Sequence, residues 1–464
     1  MQKWMLKSLK FKKTKEMKME MEIIYVPIGV GTYEMVTAHE QFENSIKLLK
    51  SIDESIIVPE DILLTVDAVA EFISGKNPDL VILQNITFAN AAYASEVLRK
   101  FDCPILLWTI REPIIDGTRL RSNSLTGAYS AANAICAFRG EGKFEHVFGA
   151  PSEASVREEI ESTIAAVKVM VQLKSLKMSA IGHTPQGFGF GRALDSELMS
   201  KFGVTLEAIE ARELINKAKA YTDEECESDL EEAKKSVVGL ENMPENNIKD
   251  FARLFKAYKT YVKDNKIGAI SSRCWPDFFT EFGTPVCMVL SLLNALNIPA
   301  SCEADVYGAL SMYIGTAFSG TSTFFGDPVS MDEKEGSITF WHCGMAACNL
   351  ARCDTGAAVG VHPNRKIGPV MDFGCKPSNE ATIFRVGRRP DGSFRFFIAE
   401  GEVMDKPKQF NGASIVVKTN EPADKIVKET IKKGWEPHYV VIYKNIADGL
   451  EKLGNMLDID VIRY

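Results

Sequence analysis

The sequence predicts an α/β protein that ends in a β-rich, barrel-like domain, and three observations carry that expectation. Short, continuously apolar runs alternate with amphipathic stretches through the first two thirds of the chain. After about residue 330 the texture changes to β-type runs separated by Gly, Pro, Asn and Asp. At 464 residues the chain also exceeds one ordinary core, and about 150 residues per domain gives about three domains.

In chain order, residues 1–20 form a basic extension with seven lysines and no Gly or Pro. It reads as a basic arm, an added helical turn or a translation start placed too early. A first α/β domain is expected over 21–176. Its strands are Ile23–Ile28, Asp79–Gln84 and Pro104–Trp108, with a helix from Ala91 to Phe101 between the last two. Apolar runs without alternation belong to parallel strands covered on both faces. A second α/β domain, 177–320, opens with the strand Lys177–Gly182. Helices over Asp195–Phe202, Glu224–Val238 and Asn246–Asn265 follow, then a buried strand at Ile267–Ser272 and a helix over Ala304–Phe318. In the third domain, 321–464, strands are expected at Ser337–Trp341, Thr382–Val386, Phe394–Ile398 and Ser414–Lys418. A final helix, Asn445–Met456, closes the chain.

Composition narrows the function. Hydrophobic residues at 45% and charged residues at 25% place the chain among folded globular proteins. A net charge of −8 excludes bulk attraction to nucleic acid or to an anionic membrane, so small molecules are the expected ligands. No stretch is long and apolar enough to span a bilayer and no secretory signal is evident, which gives a cytoplasmic expectation. The ten cysteines fit that compartment: Cys136 and Cys287 sit in apolar runs, as buried thiols do. Cys343, Cys348 and Cys353 lie five apart, a spacing that turns successive side chains away from one another and argues against a thiolate metal site.

The chemistry is concentrated in Glu303, in Ser301-Cys302-Glu303-Ala304-Asp305, and Asp327, in Phe325-Gly326-Asp327-Pro328, followed by His342 and His438. Carboxylates suit a hard divalent cation, and imidazole shifts the preference toward Mn²⁺ or a later metal. Each residue also has a plain structural reading. Asp305 and Glu303 fit the first turn of a helix, Asp327 before Pro328 is a common turn pair, His342 fits a core position, and His438 after Pro437 fits a loop. Spacing alone does not bring the four together. The run Gly182-His183-Thr184-Pro185-Gln186-Gly187-Phe188-Gly189-Phe190-Gly191 lacks the Gly-Lys-Ser/Thr ending of a phosphate loop and suits a loop beside a sugar site.

Taken together, Cys302–Leu310, Phe325-Gly326-Asp327, Trp341-His342-Cys343-Gly344 and Gly434–Tyr439 resemble the L-fucose isomerase and L-arabinose isomerase superfamily. The stretch from Trp108 to Pro113 and from Arg119 to Ala128 is similar to that family's N-terminal domain. The resemblance implies two Rossmann-like α/β domains and a β-rich third, with the site between the second and third. It implies a Mn²⁺-like ion held by Glu303, Asp327 and His438. His342 matches an extra histidine of arabinose-type members, a ligand or a substrate contact. The implied reaction is aldose–ketose isomerisation through a cis-enediolate, with Glu303 and Asp327 as the acid/base pair, on a pentose, a 6-deoxyhexose or a hexose modified at C6, an anionic substituent such as a sulfo group being one option that the nearby arginines leave open. Arg119, Arg121, Asn123 and Trp341 are the candidate substrate contacts. The first three reach a neighbouring subunit's site in the family, which implies a homo-oligomer. A salt-bridged loop within its own domain is the alternative for them. A metal-dependent aldolase or epimerase, or a sugar-binding sensor, are the rival functions.

Overall fold

A computed structural model describes residues 21–464, so the basic extension lies outside the described residues. The chain forms two compact units. One comprises residues 21–171 with Asp448–Asp458, and the other Gln172–Ala447 with Ile459–Tyr464.

In the first unit, β1 (Ile23–Ile28), β2 (Leu80–Asn85), β3 (Ile105–Thr109) and β4 (Glu145–Phe148) form a parallel sheet in that order. Every residue of β1, β2 and β3 is buried, because helices such as Ala91–Lys100 and Ser124–Arg139 pack their apolar faces on the sheet. The helix Ala447–Met456 belongs to this unit too. Lys452 lies 3.2 Å from Glu145 and pairs also with Glu159. The expected final helix is therefore present, but it does not close the chain. A further strand follows it, whose four residues are too few and too polar to read as a strand from sequence.

The second unit carries two sheets. β5 (Lys177–Ile181), β6 (Thr205–Ile209), β7 (Ala269–Ser272) and β8 (Ala300–Ser301) make a parallel sheet in the order β6-β5-β7-β8. The order reverses between β5 and β7, and ligands bind such sheets beyond the carboxyl ends of the strands at that reversal. The loops leaving those ends are 182–192 after β5, Arg273–Trp275 after β7 and Cys302–Asp305 after β8.

The other sheet is antiparallel apart from its edge. It contains β9 (Phe324–Asp332), β10 (Ser337–His342), β13 (Ser378–Arg388), β14 (Phe394–Val403), β15 (Ala413–Thr419), β16 (Tyr439–Ile442) and β17 (Asp460–Arg463), while β11 (Val359–Gly360) and β12 (Val370–Met371) form a small ribbon. The order is β13-β16-β9-β10-β15-β14-β17, and β13 also pairs with β14, so the sheet closes into a barrel with β17 lying parallel on β14. Closure removes free edges from the strands that will carry the site. The helix Val306–Ser319 packs against β7 on one side and against β13 and β16 on another. Most of its residues are buried, which explains a sequence with no polar face.

Candidate metal centre and active site

The site is assembled from the end of β8 and from three adjacent barrel strands. Glu303 and Ala304 both adopt left-handed backbone, with φ of 59° and 53°. Two consecutive non-glycine residues there store strain, a feature that clusters at functional sites. This kink shortens the expected helix: it begins at Val306, with Asp305 as its N-cap accepting from the Gly308 N–H at 2.8 Å. Asp327 lies on β9 opposite Trp341 on β10, and Tyr439 of β16 pairs with Gly326. The barrel ladder thus sets Asp327 beside the β10 strand of His342, and His438, one residue before β16, brings its ring 5.9 Å from that of His342.

His438 is the hub. Its side chain is 1% exposed, against 17% for Glu303 and 32% for Asp327, so the imidazole forms the floor and the carboxylates line the open side. Nδ1 donates to Asp305 Oδ2 at 2.9 Å. The Asp305 carboxylate is in turn gripped by the fully buried Arg385, at 2.6 and 3.1 Å. That chain fixes the tautomer and aims the Nε2 lone pair into the site. Burial works against charge on Asp305, but Arg385 and His438 outweigh it and hold the carboxyl well below the usual carboxylate range.

His438 Nε2 lies 3.1 Å from Glu303 Oε2 and 3.4 Å from Asp327 Oδ1, yet it is a buried atom with no hydrogen-bond partner. Glu303, His342 and His438 bring one donor atom each within 4.8 Å of one another, as neighbouring ligands of one small cation do, and Asp327 stands beside that trio through His438. Donor atoms bonded at about 2.1 Å on adjacent octahedral corners are roughly 3 Å apart. The residues fit a divalent metal. Without the ion, burial disfavours a charged His438, but Asp305, Glu303 and Asp327 outweigh it and raise its pKa. Burial pushes the Asp327 carboxyl up, against the pull of His438 and His342 and with the help of Glu303.

His342 belongs to the same cluster: one donor atom each of Glu303, His342 and His438 lie within 4.8 Å of one another. Its Nδ1 lies 2.9 Å from the Cys343 backbone N–H, as an acceptor would, and 3.3 Å from the Cys343 thiol. Trp341 packs nearly parallel to His342, ring centroids 6.4 Å apart, and its Nε1 donates to the Asn411 carbonyl at 2.7 Å. The cysteine run does not gather as a trio. Cys343 groups instead with Cys302 and His342, and with Cys287 and His362, while Cys353 is exposed. His362 also uses Nδ1 as an acceptor, from the Asn364 and Arg365 N–H groups at 3.2 and 3.3 Å.

The loop after β5 covers this floor, as its position in the chain suggested. Phe190 sets its ring against His438, centroids 5.4 Å apart. Gly191 sits so close that a Cβ there would lie 2.8 Å from Asp305 Cα. Phe188 touches both Phe190 and Trp275, extending an aromatic wall outward.

Arg119, Arg121 and Asn123 belong to the other unit and are engaged within it. Arg121 pairs with Asp116 at 3.3 Å and donates to the Thr118 hydroxyl and the Arg119 carbonyl. Asn123 donates to Tyr33, and Arg119 to the Thr32 carbonyl. Sequence reasoning missed Asp305 as the partner of His438, and it missed Arg385 altogether. A lone arginine inside the apolar run Thr382–Val386 was the available signal.

Comparison with known proteins agrees with this geometry. Residues 371–464 match the family described as L-fucose isomerase, C-terminal domain. A sulfoquinovose isomerase of Clostridium sp. (strain MSTE9) is 57% identical over 445 residues, covering 96% of this chain and 99% of that protein. Sulfoquinovose isomerases of Priestia megaterium (strain ATCC 12872 / QMB1551) and Alkalicoccus urumqiensis are 36% and 33% identical, each over 95% of this chain and over 99% and 98% of their own lengths. Similarity that spans nearly the whole of both chains, together with a site whose donors suit enediolate chemistry, shows that the chain belongs to the L-fucose isomerase superfamily and is an aldose–ketose isomerase.

Proposed function

We propose that this isomerase acts on a hexose bearing a sulfonate at C6, the substrate class named by its relatives, through a cis-enediolate and with Mn²⁺ at Glu303, Asp327 and His438. The observation that carries the metal reading is the partnerless Nε2 of His438 facing two carboxylate oxygens. When bound, a divalent cation supplies positive charge where the enediolate develops negative charge. Glu303 and Asp327 act as the pair that takes the proton from C2 and returns it to C1, while a second proton passes from O2 to O1. Of this pair, a carboxylate held against the ion stays ionised and suits the base, while its partner returns the proton as the acid. His342, whose donor atom lies with those of Glu303 and His438, serves as a further ligand or as a contact to the sugar. Asp305 and Arg385 hold His438 in register, and Phe190 and Trp341 exclude water from the reacting end.

The protein is further proposed to be a cytoplasmic homo-oligomer in which Arg119 and Asn123 contact a neighbouring subunit's substrate. None of the helices among the described residues is long and apolar enough to cross a membrane. Ile114, Ile115, Leu120, Leu125 and Tyr129 around that loop are exposed, Ile115 at 91%, which suits a surface covered by a second copy.

The test is deuterium uptake at C2 across a panel of neutral and sulfonated aldoses, using metal-stripped protein with and without Mn²⁺. Metal-dependent uptake with ketose formation from a sulfonated hexose, lost in Glu303→Gln, is expected. Uptake only from neutral sugars would overturn the substrate, and uptake unaffected by chelation would overturn the metal.

A further inference from the structure

We propose that Arg192, supported by Arg365, binds the substrate's sulfonate and makes the site selective for an anionic sugar. The inference rests on the sulfonated-hexose reading above and assigns the residues that enforce it.

Charge pairing across the second unit singles these two out. Every other arginine in it lies within ion-pair distance of a carboxylate: Arg212, Arg253, Arg273, Arg352, Arg385, Arg388, Arg389, Arg395 and Arg463. Arg192 and Arg365 have no such partner among the described residues. Both attach to the aromatic wall that starts at His438. Arg192 follows Gly191, whose backbone presses on Asp305, and comes two residues after Phe190. Its Nε donates to the buried Thr184 hydroxyl at 2.7 Å, which anchors the guanidinium and leaves its two terminal nitrogens uncommitted among the described residues. Arg365 lies over the Trp275 ring, 5.5 Å from its centroid, and over Phe279 at 5.9 Å, and Trp275 packs edge-on against Phe188 of the Arg192 loop.

The chemistry matches. An arginine on a neutral or acidic-poor wall presents a planar fork of donors suited to a tetrahedral oxyanion, and it stays charged at every relevant pH. A sulfonate is likewise always ionised. With C1 and C2 at the metal end, an extended hexose places its C6 substituent roughly 8 Å away, from bond lengths of about 1.5 Å. The recognition point therefore falls beyond the metal ligands, out along the wall, where Phe190 gives way to Arg192. A neutral sugar would leave both guanidiniums without an anion, and a site built around a charged partner rejects an analogue that lacks it.

The test compares a 6-sulfonated aldohexose with its 6-deoxy counterpart on the metal-loaded enzyme. Arg192→Gln is expected to raise KM for the sulfonated sugar about 10- to 100-fold, with kcat little changed and the 6-deoxy sugar unaffected. Arg365→Gln should act in the same direction more weakly, and Arg192→Lys should recover part of the loss. An equal loss on both sugars would mark a structural role and overturn the assignment. So would an unchanged KM in Arg192→Gln, or a sulfonate-specific loss only in Arg119→Gln. If the wild-type enzyme does not turn over the sulfonated sugar at all, the substrate reading fails and this assignment falls with it. A wild-type enzyme that turns it over with Arg192 insensitive sinks the assignment alone.

Discussion

Asp305 shows how one side chain serves three partners at once: it caps a helix, neutralises a buried arginine and orients a histidine. Its removal should be costly for that reason. Asp305→Asn is expected to lose about 3–5 kcal/mol of stability in denaturant unfolding, because Arg385 would remain buried and charged without a counter-ion. The same variant should weaken metal binding about 10- to 100-fold, the usual effect of losing the carboxylate behind a metal-bound histidine. The folded pKa of Asp305 is depressed. Its contribution is therefore complete above the unfolded value of about 4 and is lost only as pH falls through the lower folded value. Acid titration of the wild type should show that loss, and Asp305→Asn should not. His438 has the opposite sign. Its raised pKa stabilises the ion-free protein below about pH 6.5 and ceases to do so as pH rises through the folded value. Metal needs the deprotonated Nε2, so affinity should strengthen as pH rises, with proton release on binding. Calorimetry in buffers of different ionisation enthalpy checks this.

Among the elements, the loop 182–192 has the least room for change. Gly191→Ala would set a methyl 2.8 Å from Asp305 Cα, an overpacking that costs about 1–3 kcal/mol. The loop should lift from His438, and kcat/KM should fall at least tenfold while the circular dichroism spectrum is retained. Steady-state kinetics beside a thermal melt separates the two effects. Elements of this kind differ in how far the sequence discloses them. β1 is legible to the residue, since six buried apolar positions in a row allow little else, and the barrel strands at 337–342 and 413–419 follow from their β-branched runs. β8 and β17 are too short for any periodicity, and their pairing partners lie far away in the chain. The same limit applies at the site. The residue types of Glu303, Asp327 and His438 suggested a metal, but the left-handed turn at Glu303 and Ala304 and the link from Arg385 through Asp305 to His438 come from tertiary packing across 80 to 133 positions.

At the scale of the whole chain, all the candidate metal donors lie in the unit Gln172–Ala447, and none in the unit built on residues 21–171. Mn²⁺ at about 100 times its Kd should therefore stabilise the former by about 2.7 kcal/mol and leave the latter unmoved. In a calorimetric scan, one transition should shift with metal and the shift should vanish in Glu303→Gln. A single transition that moves as a whole would mean that the units unfold together. Ile115→Lys, on the exposed loop of the other unit, should lower the apparent mass in sedimentation without changing metal affinity. The closed barrel carries one more implication. Asp327 and His342 lie on paired strands of this barrel and His438 directly precedes a third, so their separation is kept by the backbone and not by the ion. Stripping the metal should leave a folded vessel that refills without any conformational search. A far-ultraviolet circular dichroism spectrum recorded before and after chelation should therefore be unchanged.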